Sequence, residues 1–279
     1  MAQIAQDERP MKVKKAEYAE KIKHHKEKID EINSAIKTIE KEVLKNNDLS
    51  NYGRLSMTNS YLNIIAVYCT MSDISMSLLG IKNEAFLNEA RKLLYKMLSV
   101  LESIVGNEID ASLTANEEKL QTIDKLDDHK RLNLFHKILD AVKSVEDRFG
   151  EKSKWRWSFV DLFAEAATAI KNMIDYKKLQ TLQRDPRNEG YGERVEILRL
   201  VKEQLKMAAT RYREKYEMVT HEPIEMKKAL QLLADLYRVN VIFNEGNEAE
   251  NTRKNIAIWQ EKFDADLRKA EEDKKKKQK

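Results

Sequence analysis

Apolar residues recur at helical spacing near the start of the chain. Tyr18, Ile22, Ile29, Ile36 and Val43 are separated by four or seven positions, and Lys and Glu fill most of the positions between them. This a/d pattern predicts one long helix over residues 11–44. At 1.5 Å per residue that helix would be roughly 50 Å long. The pattern therefore favours an elongated molecule with coiled-coil-like helices.

Turn-forming stretches divide the remainder of the chain into further helices. The sequences "NNDLSNYG" (46–53) and "RDPRNEGYG" (184–192) predict exposed loops. We expect the charged tail 271–279 to be frayed. The further helices are predicted over 54–79, 83–105, 114–149 with a break near 127–128, 153–183, 193–220 and 223–243, with a last one around Trp259.

The predicted fold class is all-α, an elongated bundle of about seven or eight helices. We expect three sections along the chain: a long N-terminal helix (1–47), a central helical bundle (48–185) and a C-terminal helical section (186–279). The chain has only 7 Gly and 3 Pro among its 279 residues, which supports long helices over sheets.

The charge balance argues against several classes of partner. Lys and Arg number 51 and Asp and Glu 47, so the net charge of +4 is low for a nucleic-acid-binding protein. No run of about 18 uninterrupted apolar residues predicts a membrane span. Residues 1–10 lack the apolar core of a secretory signal, although "AQIAQ" after Met1 would suit a mature terminus. Cys69 is the only cysteine, and its apolar neighbours predict a buried thiol.

The segment 152–170, "KSKWRWSFVDLFAEAATAI", carries more apolar surface than one face of a helix needs. Trp155, Phe159 and Leu162 would share one face, and a narrow polar stripe would run through Asp161 and Glu165. The excess predicts either a central helix of the bundle or a second face left free for a partner protein. In the second interpretation the partner-binding residues are those of the other apolar face: Trp157, Val160, Ala164 and Ala167.

Catalytic motifs are missing from the chain. None of the five histidines stands three positions after a Glu, which argues against a di-iron bundle. His129 and His136 share one helical face, so a metal pair is an alternative to ordinary surface roles. No phosphate-binding loop, nucleophile elbow or cysteine-protease signature occurs. We therefore expect a non-enzymatic protein with no cofactor and no metal.

The aromatic central segment "KWRWSFVDLFAEAATAIKNMIDY" (154–176), the length and the long Lys-, Glu- and Asn-rich helices resemble the spirochaete flagellar-coiling proteins. That resemblance implies an elongated, all-helical protein of the periplasmic flagellar sheath. It further implies assembly around a flagellin core, partners among the core or sheath subunits, and a role in filament curvature and motility.

Two other functions remain open from the residues alone. One is a helical adaptor or scaffold that binds partner peptides in a groove. The other is a membrane-shaping helical dimer that uses the basic face of the first helix, which carries Lys12, Lys21 and Lys28 among others. Outside the flagellar setting we expect a cytoplasmic protein. Each alternative involves protein partners or self-association, and none involves nucleic acid or an integral membrane segment.

Overall fold

The computed structural model describes residues 9–45 and 50–277 and confirms the all-α fold class. In these residues it contains α-helices, one π-helical turn at Tyr216–Thr220 and no strand. The helices are α1 (Met11–Lys45), α2 (Ser50–Leu79), α3 (Glu84–Val105), α4 (Glu117–Gln121), α5 (Asp128–Phe149), α6 (Ser158–Asn172), α7 (Tyr176–Leu182), α8 (Tyr191–Lys215), α9 (Pro223–Ile242) and α10 (Gly246–Lys277).

The chain forms two compact units that alternate along the sequence. Unit 1 comprises the described residues up to Ile104 together with Lys137–Arg156. Unit 2 comprises Val105–His136 and the described residues from Trp157 onwards. Both α3 and α5 therefore contribute residues to each unit. The units are discontinuous in sequence, whereas the three predicted sections are continuous.

In unit 1, α1 packs along α2 through one stripe of isoleucines. Ile22, Ile29 and Ile36 follow one another at seven-residue intervals and are buried. Gly53 lies inside α2, where an added Cβ would be 2.4 Å from Cγ2 of Val43. The prediction of a loop over 46–53 is therefore wrong for Ser50–Gly53, because this glycine allows close helix packing. Residues 46–49 of that prediction lie outside the described residues.

Helix α2 is the most apolar long helix of unit 1. By length and composition it would be able to cross a membrane, and about 50% of its apolar window is buried inside the protein. Its buried side chains include Tyr61 and Ile64, each 1% exposed, and Met71. A core helix of a water-soluble protein has the same character. Cys69, on this helix, is buried as predicted, and burial raises the pKa of its thiol to about 11.

In unit 2, α8 packs on α6 and α9, and α9 packs on α10. The π-helical turn ends α8 and places the Tyr216 ring edge-on against Phe263 of α10, with ring centroids 6.0 Å apart. Pro223 begins α9, as its fixed φ predicts. Helix α10 continues to Lys277, so the prediction of a frayed tail is wrong for 271–277, and residues 278–279 of that prediction lie outside the described residues.

The helix predicted over 153–183 is two shorter helices. Residues 154–157 form turns, Oγ of Ser153 accepts a hydrogen bond from the Trp155 amide, and α6 starts only at Ser158. The chain leaves helical geometry after Asn172. The Asp175 side chain then accepts a bond from the Lys178 amide and caps α7. In the sequence, the signal for this break is Asp175, a residue type that favours helix N-caps, within an apolar run.

Within residues 157–262, we expect a protease to cut first in the connector between α7 and α8. It is non-helical over 184–190, as predicted, whereas the predicted loop residues Tyr191 and Gly192 already belong to α8; the Arg187 side chain is 90% exposed. In limited tryptic digestion followed by mass spectrometry, we expect cuts after Arg184 or Arg187 before any cut at Arg199 in the middle of α8. Equally early cleavage at Arg199, which is 55% exposed, would show that exposure alone controls the rate.

Candidate functional site

The predicted docking face of 154–176 lies in the interior of the protein. Val160, Ala164 and Ala167 are 3%, 2% and 0% exposed, and Trp157 is half-buried. The expectation that this face is free for a partner is therefore wrong for three of its four residues. The alternative interpretation of a central helix describes α6. Its alanines have small side chains, which let α8 approach closely.

The polar stripe of α6 also faces protein groups. Asp161 accepts a hydrogen bond of 2.8 Å from the Tyr212 hydroxyl and lies 3.3 Å from Nζ of Lys215. At the other end of the helix, Nδ2 of Asn172 donates to the Gly106 carbonyl at 3.1 Å. An isolated helix would expose these polar residues to water, but in the protein they bind groups of neighbouring segments.

A buried ion pair joins α6 to α9. Nζ of Lys171 lies 2.7 Å from Oδ2 of Asp235, and the two side chains are 1% and 0% exposed. Lys171 also donates to the carbonyl oxygens of Ile109 at 2.5 Å and Glu108 at 3.5 Å. All three ammonium hydrogens are thus used, and the segment after α3 is tied to the pair.

The electrostatics of this pair indicate a structural role. Burial lowers the pKa of Lys171 and raises that of Asp235, while each partner opposes the shift of the other. Arg238 adds a second cation, with NH2 3.0 Å from Oδ1 of Asp235. A general acid or base needs room for a substrate beside it. Here the groups that contact both charged side chains are side chains and main-chain carbonyls of the protein itself.

The other sequence candidates do not assemble into a site. His129 lies 3.5 Å from Glu193, a contact that becomes an ion pair only when the histidine is protonated. Within the described residues, no group of three or more His, Cys, Asp or Glu side chains is placed to hold a metal ion. On α1, Glu17 pairs with both Lys21 and Arg9, which reduces the positive field of the basic face.

Unit 2 carries a groove of about 360 Å³ between α8 and α10, with α9 as its floor. We call it the α8–α10 groove. Its volume lies within the range typical of ligand-binding pockets. Its lining residues are Arg199, Lys202, Glu203 and Lys206 of α8, Leu233, Leu236 and Asn240 of α9, Glu245, and Glu248, Asn251, Thr252 and Asn255 of α10.

Asn240 in the floor is 2% exposed, and its side-chain amide makes only part of its possible hydrogen bonds with the described residues. Its Nδ2 donates to Oγ1 of Thr252 at 3.3 Å. The Thr252 hydroxyl hydrogen is itself donated to the Glu248 carbonyl at 2.7 Å, so Oγ1 can only accept here and the amide orientation is fixed. Oδ1 of Asn240 is buried and accepts no hydrogen bond from the described residues. A donor from outside the chain would complete it.

The charged walls of the groove are mostly neutralised. Lys202 lies 2.6 and 2.7 Å from the two carboxylate oxygens of Glu245. Arg199 pairs with Glu196 and Glu203. Lys206 is exposed and forms no ion pair in the described part of the chain. The groove therefore offers neutral amides, the ammonium group of Lys206, the exposed carboxylate of Glu248 and an apolar floor.

Sequence reasoning did not identify this groove, although one signal was present. Leu233, Leu236 and Asn240 lie three and four positions apart and share one face of α9. A single amide in an apolar stripe is unfavourable unless it has hydrogen-bond partners, which makes such a residue a candidate binding group.

Comparison with protein families matches residues 14–267 to the TP0443 family. The chain belongs to the TP0443 family. Its name refers to a Treponema pallidum protein, which is consistent with a spirochaete origin for this TP0443-family chain. Neither a search of curated proteins nor a search of solved structures gave a match. The family match covers both units, including α6 and the α8–α10 groove.

The buried ion pair yields a stability prediction. Lys171→Met should lower the free energy of unfolding by about 3–5 kcal/mol, because Asp235 would remain buried with Arg238 as its remaining charged partner. Urea denaturation followed by circular dichroism measures the change. The double variant Lys171→Met/Asp235→Leu should recover most of the loss. A double variant as unstable as the single one would mean that packing, not charge, explains the effect.

Proposed function

We propose that the protein is a non-enzymatic structural protein that assembles with other proteins by holding a segment of a partner in the α8–α10 groove. The carrying observation is Asn240, which lines this groove and whose buried Oδ1 accepts no hydrogen bond from the described residues. A buried acceptor without a partner costs about 1–3 kcal/mol. A bound main-chain N–H would remove that cost.

The dimensions and chemistry of the groove suit an extended peptide. Its α8 wall runs from Arg199 to Lys206, which corresponds to about 10 Å of helix. That length accommodates about three residues of extended chain. Asn251 and Asn255, exposed on α10, add amide groups that both donate and accept, as peptide groups require. This is the adaptor or scaffold function, expressed through one defined groove.

The setting we propose for this assembly is the sheath of the periplasmic flagellar filament, where the protein would promote filament curvature and motility. Support comes from the whole-chain resemblance to flagellar-coiling proteins and from the spirochaete protein for which the family is named. Mass spectrometry of purified flagellar filaments from the organism that encodes the chain would test this setting. Absence of the chain from intact filaments would reject the setting and leave peptide binding by the groove as a separate question.

Peptide binding in the groove should depend on Asn240. With p-benzoylphenylalanine in place of Asn255, we expect ultraviolet light to cross-link a partner chain in cells. Asn240→Leu should reduce that yield about tenfold or more, because the partner would lose a buried hydrogen bond. The same substitution should keep or raise the free energy of unfolding by about 1 kcal/mol, since it removes an unpartnered acceptor.

The matched control places the same cross-linker at Lys254, which is exposed on α10 and does not line the groove. Its yield should be low and insensitive to Asn240→Leu. Two results would contradict the proposal: cross-links from position 255 that persist in the Asn240→Leu variant, or a marked loss of stability in that variant, which would mean that Oδ1 is already satisfied.

A further inference from the structure

Unit 1 contains a second groove, separate in sequence and chemistry from the α8–α10 groove. It has a volume of about 400 Å³ and is formed by α1, α2 and the start of α3. Tyr68 and Phe86 line it as an aromatic pair, with ring centroids 6.3 Å apart and planes tilted by 32°. Ile29, 5% exposed, adds an apolar contact. We call this the aromatic groove.

The polar groups of the aromatic groove are mainly hydrogen-bond acceptors. Asp30 of α1 and Glu89 of α3 bring carboxylates from two helices. Oδ1 of Asn88 is shielded from water and has no donor among the described residues. The carboxylates act on the aromatic surface: the pKa of Tyr68 is raised by burial first and then by the negative charges of Glu89 and Asp30.

The cations near these carboxylates leave much of their charge available. Lys92 lies 2.7 Å from Oε1 of Glu89, which leaves the second oxygen of that carboxylate open. Lys26 also lines the groove, yet no ion pair joins it to Asp30 in the part of the chain that the structure describes. The groove lining thus contains two carboxylates and only one ammonium group, and Asn88 adds a neutral acceptor.

We propose that the aromatic groove binds a lysine or arginine side chain presented by a partner protein. Aromatic faces attract cations, and carboxylates and an amide oxygen accept the several N–H donors that an ammonium or guanidinium group carries. The apolar stem of such a side chain would pack against Ile29 and the rings, as long basic side chains do elsewhere. The groove is open along the surface, so the side chain can enter while it remains part of a peptide.

Charge recognition can be tested with peptides that differ at one position. The labelled full-length protein is applied to an array of seven-residue peptides whose central residue is arginine, lysine, citrulline or norleucine and whose flanks are randomised. Arginine and lysine should give at least about tenfold stronger binding than citrulline, which has nearly the shape of arginine without its charge. Equal binding of the citrulline peptides would overturn the proposal.

Variants then assign the binding to this groove. Asp30→Asn/Glu89→Gln should abolish the preference for charge, and Tyr68→Leu should weaken binding about threefold while both carboxylates remain. Glu27→Gln, an exposed position on α1 outside the groove, is the matched control and should bind like the original chain. Circular dichroism confirms that each variant is folded. Retained preference in the double variant would overturn the assignment.

The source of the cation is tested separately. Argininamide, titrated calorimetrically against the full-length protein, should bind at least about tenfold more weakly than the best array peptide, because it lacks the flanking contacts. Binding as tight as that of the peptide would identify a small-molecule site and reject a protein partner. Because the aromatic groove shares no residue with the α8–α10 groove, Asn240→Leu should leave all these measurements unchanged, and the two proposals can fail independently.

Discussion

The fold of unit 2 depends on a charged side chain in the protein interior, where a charge without a partner is strongly destabilising. Lys171 extends from α6 into the protein interior and meets Asp235 of α9 and the carbonyl groups of the segment after α3. Such a pair provides little net stability compared with apolar residues of the same size, but breaking it is costly. It therefore favours one arrangement of α6, α9 and the loop over alternatives in which either charge would lack its partner.

The rest of unit 2 follows from α6 being enclosed. Because Asp161 is used by Tyr212 and Asn172 by the Gly106 carbonyl, even the polar positions of α6 are internal contacts. Helix α8 covers its small side chains, α9 packs on α8 and is joined to α6 by the Lys171–Asp235 pair, and α10 packs on α9, which leaves the α8–α10 groove at the surface. The α8–α10 groove of this unit is thus formed by α8, α9 and α10, whereas the apolar central helix is enclosed.

The two grooves suit different parts of a peptide. The α8–α10 groove has amides, a buried acceptor that no described residue partners and largely neutralised walls, which match the uniform chemistry of a main chain. The aromatic groove has two rings and two carboxylates, which match a cationic side chain. A protein that assembles with others benefits from both kinds of contact, since main-chain recognition gives affinity with little sequence preference and side-chain recognition gives specificity.

The sequence by itself determined the all-α class and most helix boundaries. Local signals carry this information: the isoleucine stripe of α1, Pro223 at the start of α9 and the glycines at the ends of α2 and α3 act within a few residues of themselves. The tertiary structure decided which faces are buried. Gly53 has the composition of a turn but permits a close approach to Val43, and the face of Val160 and Ala164 has the composition of an interface but meets the chain's own helices. The acceptor role of Asn240 depends on the hydroxyl of Thr252 and on the carbonyl of Glu248, and the aromatic groove joins residues of three helices. Such contacts link positions that are distant along the chain, and periodicity records only that a face is apolar, not what covers it.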